Sequence, residues 1–140
     1  MVNIDKIMDM LDWNNPPEIQ AEGRSLAKEI RCINVFLQPG HPGHSKNVWG
    51  NCAIVLSERS DQELKPYLYQ LFKWLVDMNW PGADCIYNRL KNYKRDSMFE
   101  FVINECSDEA QALAETIWLN TLLKLDKETY QIMSADKTQK

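Results

Sequence analysis

Two histidines, His41 and His44, stand three residues apart in the segment HPGH, beside Ser45 and Lys46. That spacing lets two imidazoles share a metal ion, but a zinc site takes three or four protein ligands, and no CxxC or HExxH supplies the rest. Cys32, Cys52, Cys85 and Cys106 are scattered singly among apolar neighbours. This is the pattern of small core residues in a reducing compartment. A nucleophile built on Cys32 or Cys52 needs a base within hydrogen-bond reach, which the sequence does not place. There is no Gly-rich phosphate loop and no GxSxG. The residues thus indicate no catalytic group, cofactor or metal ligand. A metal-dependent hydrolase using the HPGH loop is one alternative.

Charge offers a second kind of chemistry. Arg89, Lys91, Lys94 and Arg95 form the one local excess of positive charge, interleaved with Tyr87 and Tyr93. Cations and aromatics so mixed can grip a nucleic-acid backbone, as in helical-repeat glycosylases, which makes a nucleic-acid-binding or glycosylase-like enzyme the other alternative. Against it stand a net charge of −4, from 16 basic and 20 acidic side chains, and the downstream acids Glu100, Glu105, Asp108, Glu109 and Glu115. Those acids repel phosphate and suit a basic partner, while cations closing a helix favour the negative end of its dipole. The expected partner is therefore another protein, with neither nucleic acid nor a membrane. The candidate contact residues are His41, His44, Lys46, Arg89, Lys91, Lys94, Arg95 and Glu109.

The elements that must carry these groups are helical. Leu64, Leu68, Leu71, Phe72, Leu75 and Val76 form one stripe, widened by Tyr67, Trp74 and Met78, and leave Gln70, Lys73 and Asp77 for water. So broad an apolar arc predicts a central helix packed on two sides, ending near Asn79 because Pro81 cannot continue it and instead starts the next helix. Before it, Asn3 caps a helix over Ile4 to Trp13, and a helix starting at Pro16-Pro17 presents Ile19, Leu26, Ala27, Ile30, Ile33 and Leu37. Residues 38 to 47, QPGHPGHSKN, form a long loop, and a helix over Val48 to Leu56 follows. After the corner come helices marked by Cys85, Ile86 and Leu90, then by Met98, Phe101, Val102 and Glu105 on one side with Phe99, Ile103 and Cys106 on another. Ser107 and Asp108 are expected to cap a further helix with Ala110, Leu113, Ala114, Ile117, Trp118, Leu122 and Leu125 inward, before a short helix from Lys127.

No strand-like alternation occurs. The fold class is all-α, a stack of about seven antiparallel helices in hairpins forming a HEAT- or armadillo-like superhelix. Residues 1–134 are expected to form a single helical domain and 135–140 a polar, disordered tail. No signal-peptide pattern or membrane span is present, so the expected location is cytoplasmic.

The string from Leu68 to Pro81, LYQLFKWLVDMNWP, resembles a small bacterial family carried as a domain of unknown function and marked by WLxDMNWP. The resemblance is specific over Leu64 to Leu90. It implies a HEAT- or armadillo-like fold and carries over no catalytic residues. Related helical-repeat proteins act as immunity partners of bacterial toxins, so the implied role is a non-enzymatic protein-binding module of the immunity type, occluding a toxin encoded nearby.

Overall fold

The computed structural model describes residues 3–39 and 45–138, with side chains to residue 132. His41 and His44 lie outside the described residues. Among those described, the chain is all-helical, with no strand. The helices are α1 (Ile4–Met10), α2 (Pro17–Ala27), α3 (Trp49–Ser57), α4 (Asp61–Leu64), α5 (Leu68–Lys73), α6 (Ala83–Lys91), α7 (Ser97–Ala112) and α8 (Thr116–Thr138), with short 3₁₀ turns between several of them.

The amino-terminal helices cover α3. Asn3 caps α1 as its side chain predicts, accepting from the Lys6 N–H at 3.2 Å. Gly23 lets α2 close on α1, since a Cβ there would meet Met10 Cβ at 2.8 Å. The predicted long second helix stops at Ala27, and Ile33–Phe36 forms a separate 3₁₀ turn. The Arg59 guanidinium donates to the carbonyls of Ala27 and Ile30 at 2.7 and 2.8 Å, satisfying helix-end acceptors that a continuous helix would have used itself. Ile19, expected inward, is exposed. Asn51, buried at the start of α3, donates to Leu11 O and Gln20 Oε1 and accepts from Arg24, tying three helices together with its hydrogen bonds satisfied.

The central helix is a correction. Asp61 to Val76 is a chain of short pieces, α4, a 3₁₀ turn at Lys65–Tyr67, α5, and a 3₁₀ turn at Trp74–Val76. Pro66 has no N–H to donate, and the tighter turns re-aim a very wide apolar arc. Leu64, Leu68, Leu71, Phe72, Trp74 and Leu75 are nonetheless all buried. Regular structure ends at Val76 rather than Asn79, and α6 starts at Ala83 rather than Pro81. Its N-cap is Gly82, in the left-handed region at φ 84°. A Cβ at Gly82 would stand 2.6 Å from Ala53 Cβ and 3.0 Å from Trp49 O, so the corner can press on α3 only with glycine there.

The second correction lies in the carboxy-terminal half. Ser107 and Asp108 do not cap a helix; α7 runs through them to Ala112, and the Ser107 hydroxyl donates back to Ile103 O at 2.8 Å. The break comes at Ala114, at φ 56°. There the Glu115 N–H donates to Ala110 O and the Ala114 N–H to Gln111 O, a Schellman closure with alanine where glycine is usual. The shift in the break turns Leu113 and Ile117 outward, 59% and 75% exposed, although their spacing with Trp118 placed them inward. Helix α8 then continues without the expected interruption at Lys127, and the Trp118 indole donates to Phe72 O at 3.0 Å.

Two substitutions check these corners. Gly82→Ala should destabilise by about 2–4 kcal/mol, from left-handed strain plus overpacking. Ala114→Gly should stabilise by about 0.5–1 kcal/mol, the relief at left-handed φ outweighing the glycine entropy cost. Both are read from urea denaturation at unchanged slope.

Candidate functional site

The described side chains divide the predicted contact residues by what holds them. Arg89 donates to Asp61 and to Arg59 O, and the Lys94 backbone N–H donates to the other oxygen of Asp61. Lys91 pairs with Glu128 at 3.5 Å. Arg95, only 3% exposed at its side chain, pairs with Asp126 at 2.7 Å and Glu100 at 3.3 Å and lies 3.9 Å from the Tyr130 ring centroid. Three of the four cations in the basic joint are thus committed to carboxylates of α4, α7 and α8. Lys46 is exposed and sits over the Trp49 ring at 5.7 Å.

Of the four thiols expected in the core, Cys52 and Cys106 lie there, Cys85 is half-buried and Cys32 lies outside it. Cys52 and Cys106 are fully buried, and burial pushes each up to about 12, far from the range of a nucleophilic thiolate at neutral pH. Cys32 is exposed. No group of three or more His, Cys, Asp or Glu side chains among the described residues is disposed to hold a metal.

Glu109 leads to a different surface. On the flank of α7 that faces α5, it accepts from the Tyr69 hydroxyl at 2.8 Å and from Lys73 at 3.3 Å. Lys73 in turn lies 4.9 Å from the Trp118 ring centroid, so the carboxylate is tied through one cation to the core. Around it, Tyr69, Phe101, Val102, Glu105, Asp108 and Ala112 line a shallow groove of about 530 Å³ between α5 and the outer side of α7. Phe101 stands 62% exposed in it. Glu105 and Asp108 are exposed on its rim, and neither forms an ion pair among the described residues.

Helix α7 explains the groove. Phe99, Ile103, Cys106 and Ala110 form the buried stripe, and Asp96 caps the helix by accepting from the Phe99 N–H at 2.8 Å. The second stripe, with Met98, Phe101 and Val102, carries the spacing of a buried face but meets only the edge of α5. The sequence reading put both stripes inside. The signal that separates them is the acids Glu105, Asp108 and Glu109, which fall on the second stripe alone.

The sequence profile of a family described as a domain of unknown function, DUF5071, matches residues 51–137. The chain belongs to this family. The match runs from the start of α3 almost to the end of α8, so it contains the groove, the Leu64 to Leu90 stretch and the basic joint, and excludes the helices packed on the far side of α3. No curated protein and no solved structure matches the chain. No helix among the described residues is long and apolar enough to cross a membrane.

The Tyr69–Glu109 bond sets a pH window for this surface. Chiefly that bond holds Glu109 below the usual carboxylate range and pushes Tyr69 up to about 12. A depressed carboxyl adds stability above its unfolded value and loses it as pH falls through the folded one. A raised phenol adds stability below its unfolded value, about 10, and loses it as pH rises through about 12. The link is therefore whole near neutral pH and weakens at both extremes. Tyr69→Phe should move the Glu109 carboxyl titration upward, as followed by carboxyl-carbon NMR, with the helical circular dichroism unchanged.

Proposed function

We propose that the chain is a non-enzymatic protein-binding module whose docking face is the outer side of α7. The observation that carries this reading is Phe101, 62% exposed in a groove bordered by carboxylates, on a helix whose other face is core. An aromatic side chain so placed supplies apolar area for a partner to cover and lies outside the buried core. The most concrete form of the reading is an immunity-type protein, bacterial and cytoplasmic, in which a rigid HEAT-like stack occludes the working surface of a toxin encoded nearby. The net charge of −4 would steer a basic partner toward it.

No observation favours the enzymatic alternatives over this one. The basic joint that motivated nucleic-acid binding spends Arg89, Lys91 and Arg95 on internal carboxylates. The HPGH loop that motivated a metal hydrolase lies outside the described residues.

The test is capture by cross-linking in the source cell, followed by reconstitution with the purified, identified partner. The expected complex has a Kd below about 1 µM, and Phe101→Ser weakens it about tenfold or more without altering the fold. Failure to reconstitute any protein complex, together with salt-dependent DNA binding by the purified chain, would reject the reading.

A further inference from the structure

The exposed row of α7 has the spacing of a helix-packing seam. Phe101, Glu105, Asp108 and Ala112 follow one another at intervals of four, three and four residues, the repeat by which one helix meets another along its length. The row spans about 16 Å at 1.5 Å per residue, roughly three turns of a facing helix. Its ends are apolar and its middle is acidic. Glu109 beside it is already engaged by Tyr69 and Lys73, so the negative charge left for a visitor is that of Glu105 and Asp108.

In two other hollows the cations are already paired with carboxylates. The notch between α6 and α8 holds Lys91 and Lys124 against Glu128, with the Tyr87 hydroxyl donating to that same carboxylate. In the hollow at Ser57, Cys85 and Asn92, the one charged group, Arg89, is bound to Asp61.

We infer that the occupant of the α7 groove is a basic amphipathic helix of a partner protein, with apolar residues at both ends of its contact row and two arginines or lysines between them. This rests on the docking face proposed above and names the chemistry of what docks. Complementarity to the row gives the pattern LxxxRxxRxxxL, in which the cations meet Asp108 and Glu105 while the leucines cover Phe101 and Ala112. Because the intervals read the same in both directions, the helix can lie parallel or antiparallel to α7. Arginine suits the middle positions through two-pronged bonding to a carboxylate, and apolar anchors at helical spacing are the usual means by which a groove holds a helix.

The probes are three designed 18-residue helical peptides: one carrying LxxxRxxRxxxL on an alanine and glutamine background, one with glutamates for the arginines, and one of the first composition with the face shuffled. Binding is followed by amide NMR shifts of the full chain. The arginine peptide should bind with a Kd on the order of 100 µM and shift Tyr69, Val102 and Ala112. The glutamate and shuffled peptides should bind at least about tenfold more weakly. The doubly substituted chain Glu105→Arg, Asp108→Arg, altered only at exposed positions, should invert the preference between arginine and glutamate peptides. Equal affinity for the two charge forms, or shifts centred away from α7, overturns the inference. Self-association lost on Phe101→Ser would overturn it too, making a second copy the occupant. A natural partner that needs Phe101 but tolerates the charge-reversed pair would sink the basic helix and leave the docking face standing.

Discussion

The fold depends on how Trp74 is held at the corner between α5 and α6. Its side chain is fully buried, and its indole N–H donates to Pro81 O at 3.0 Å, closing the chain from Asp77 to Gly82 back onto the last turn before it. A tryptophan in a core needs a partner for that N–H, and the corner supplies it with a carbonyl. Trp49 packs edge-on against both Trp74 and Trp80, with ring centroids at 6.4 and 5.7 Å. Gly82 completes the fit by removing the Cβ that would strike Ala53. The close α3–α6 packing follows from this corner, and α5 is thereby left to face α7.

Electrostatics then decides which surface carries net charge. The chain has few cations to spare, and several of them join helices: Arg59 closes the end of α2, Arg89 holds α6 to α4, and Arg95 holds α7 to α8. These arginines are shielded from water, where a pair with good geometry and a full set of bonds contributes more than an exposed one. Each takes a carboxylate or carbonyl out of play. Glu105 and Asp108 on the outer side of α7 have no such assignment among the described residues, and so they leave negative charge on that surface.

The same distinction explains what could be read from the residues. Local rules were dependable where one residue type has one physical job: Asn3 at a cap, Trp74 and Trp118 in a stripe, the absence of strand alternation. They failed where two local solutions compete. Ser107 and Asp108 could cap a helix or lie within one, and the chain continued because Ala114, with no sequence mark of a left-handed residue, made the turn instead. Leu64 to Val76 read as one helix because its apolar arc is continuous, yet tertiary packing on two sides favoured several short turns. The basic joint read as an open cluster because Asp61 and Asp126, which pair with Arg89 and Arg95, are about 30 residues away in sequence, a separation that periodicity does not register. The family match over residues 51–137 is to a domain of unknown function and leaves the use of the domain to be argued from surfaces.

The wall of the groove is built more rigidly than a surface side chain ordinarily is. Glu109 is fixed from two directions, by a phenol on α5 and by an ammonium that is itself held over a buried indole. Tyr69 is oriented by the same bond, which favours one placement of its ring beside the groove. An aromatic wall immobilised before a partner arrives does not lose its rotamer freedom on binding, and that loss is among the costs that keep apolar contact from becoming affinity. If α7 were merely a covering helix, exposed Phe101 and a restrained Tyr69 would be an odd pair, the first a liability in water and the second an ordering without return. As two sides of a docking groove they are complementary, one providing area and the other a fixed edge against which that area is closed.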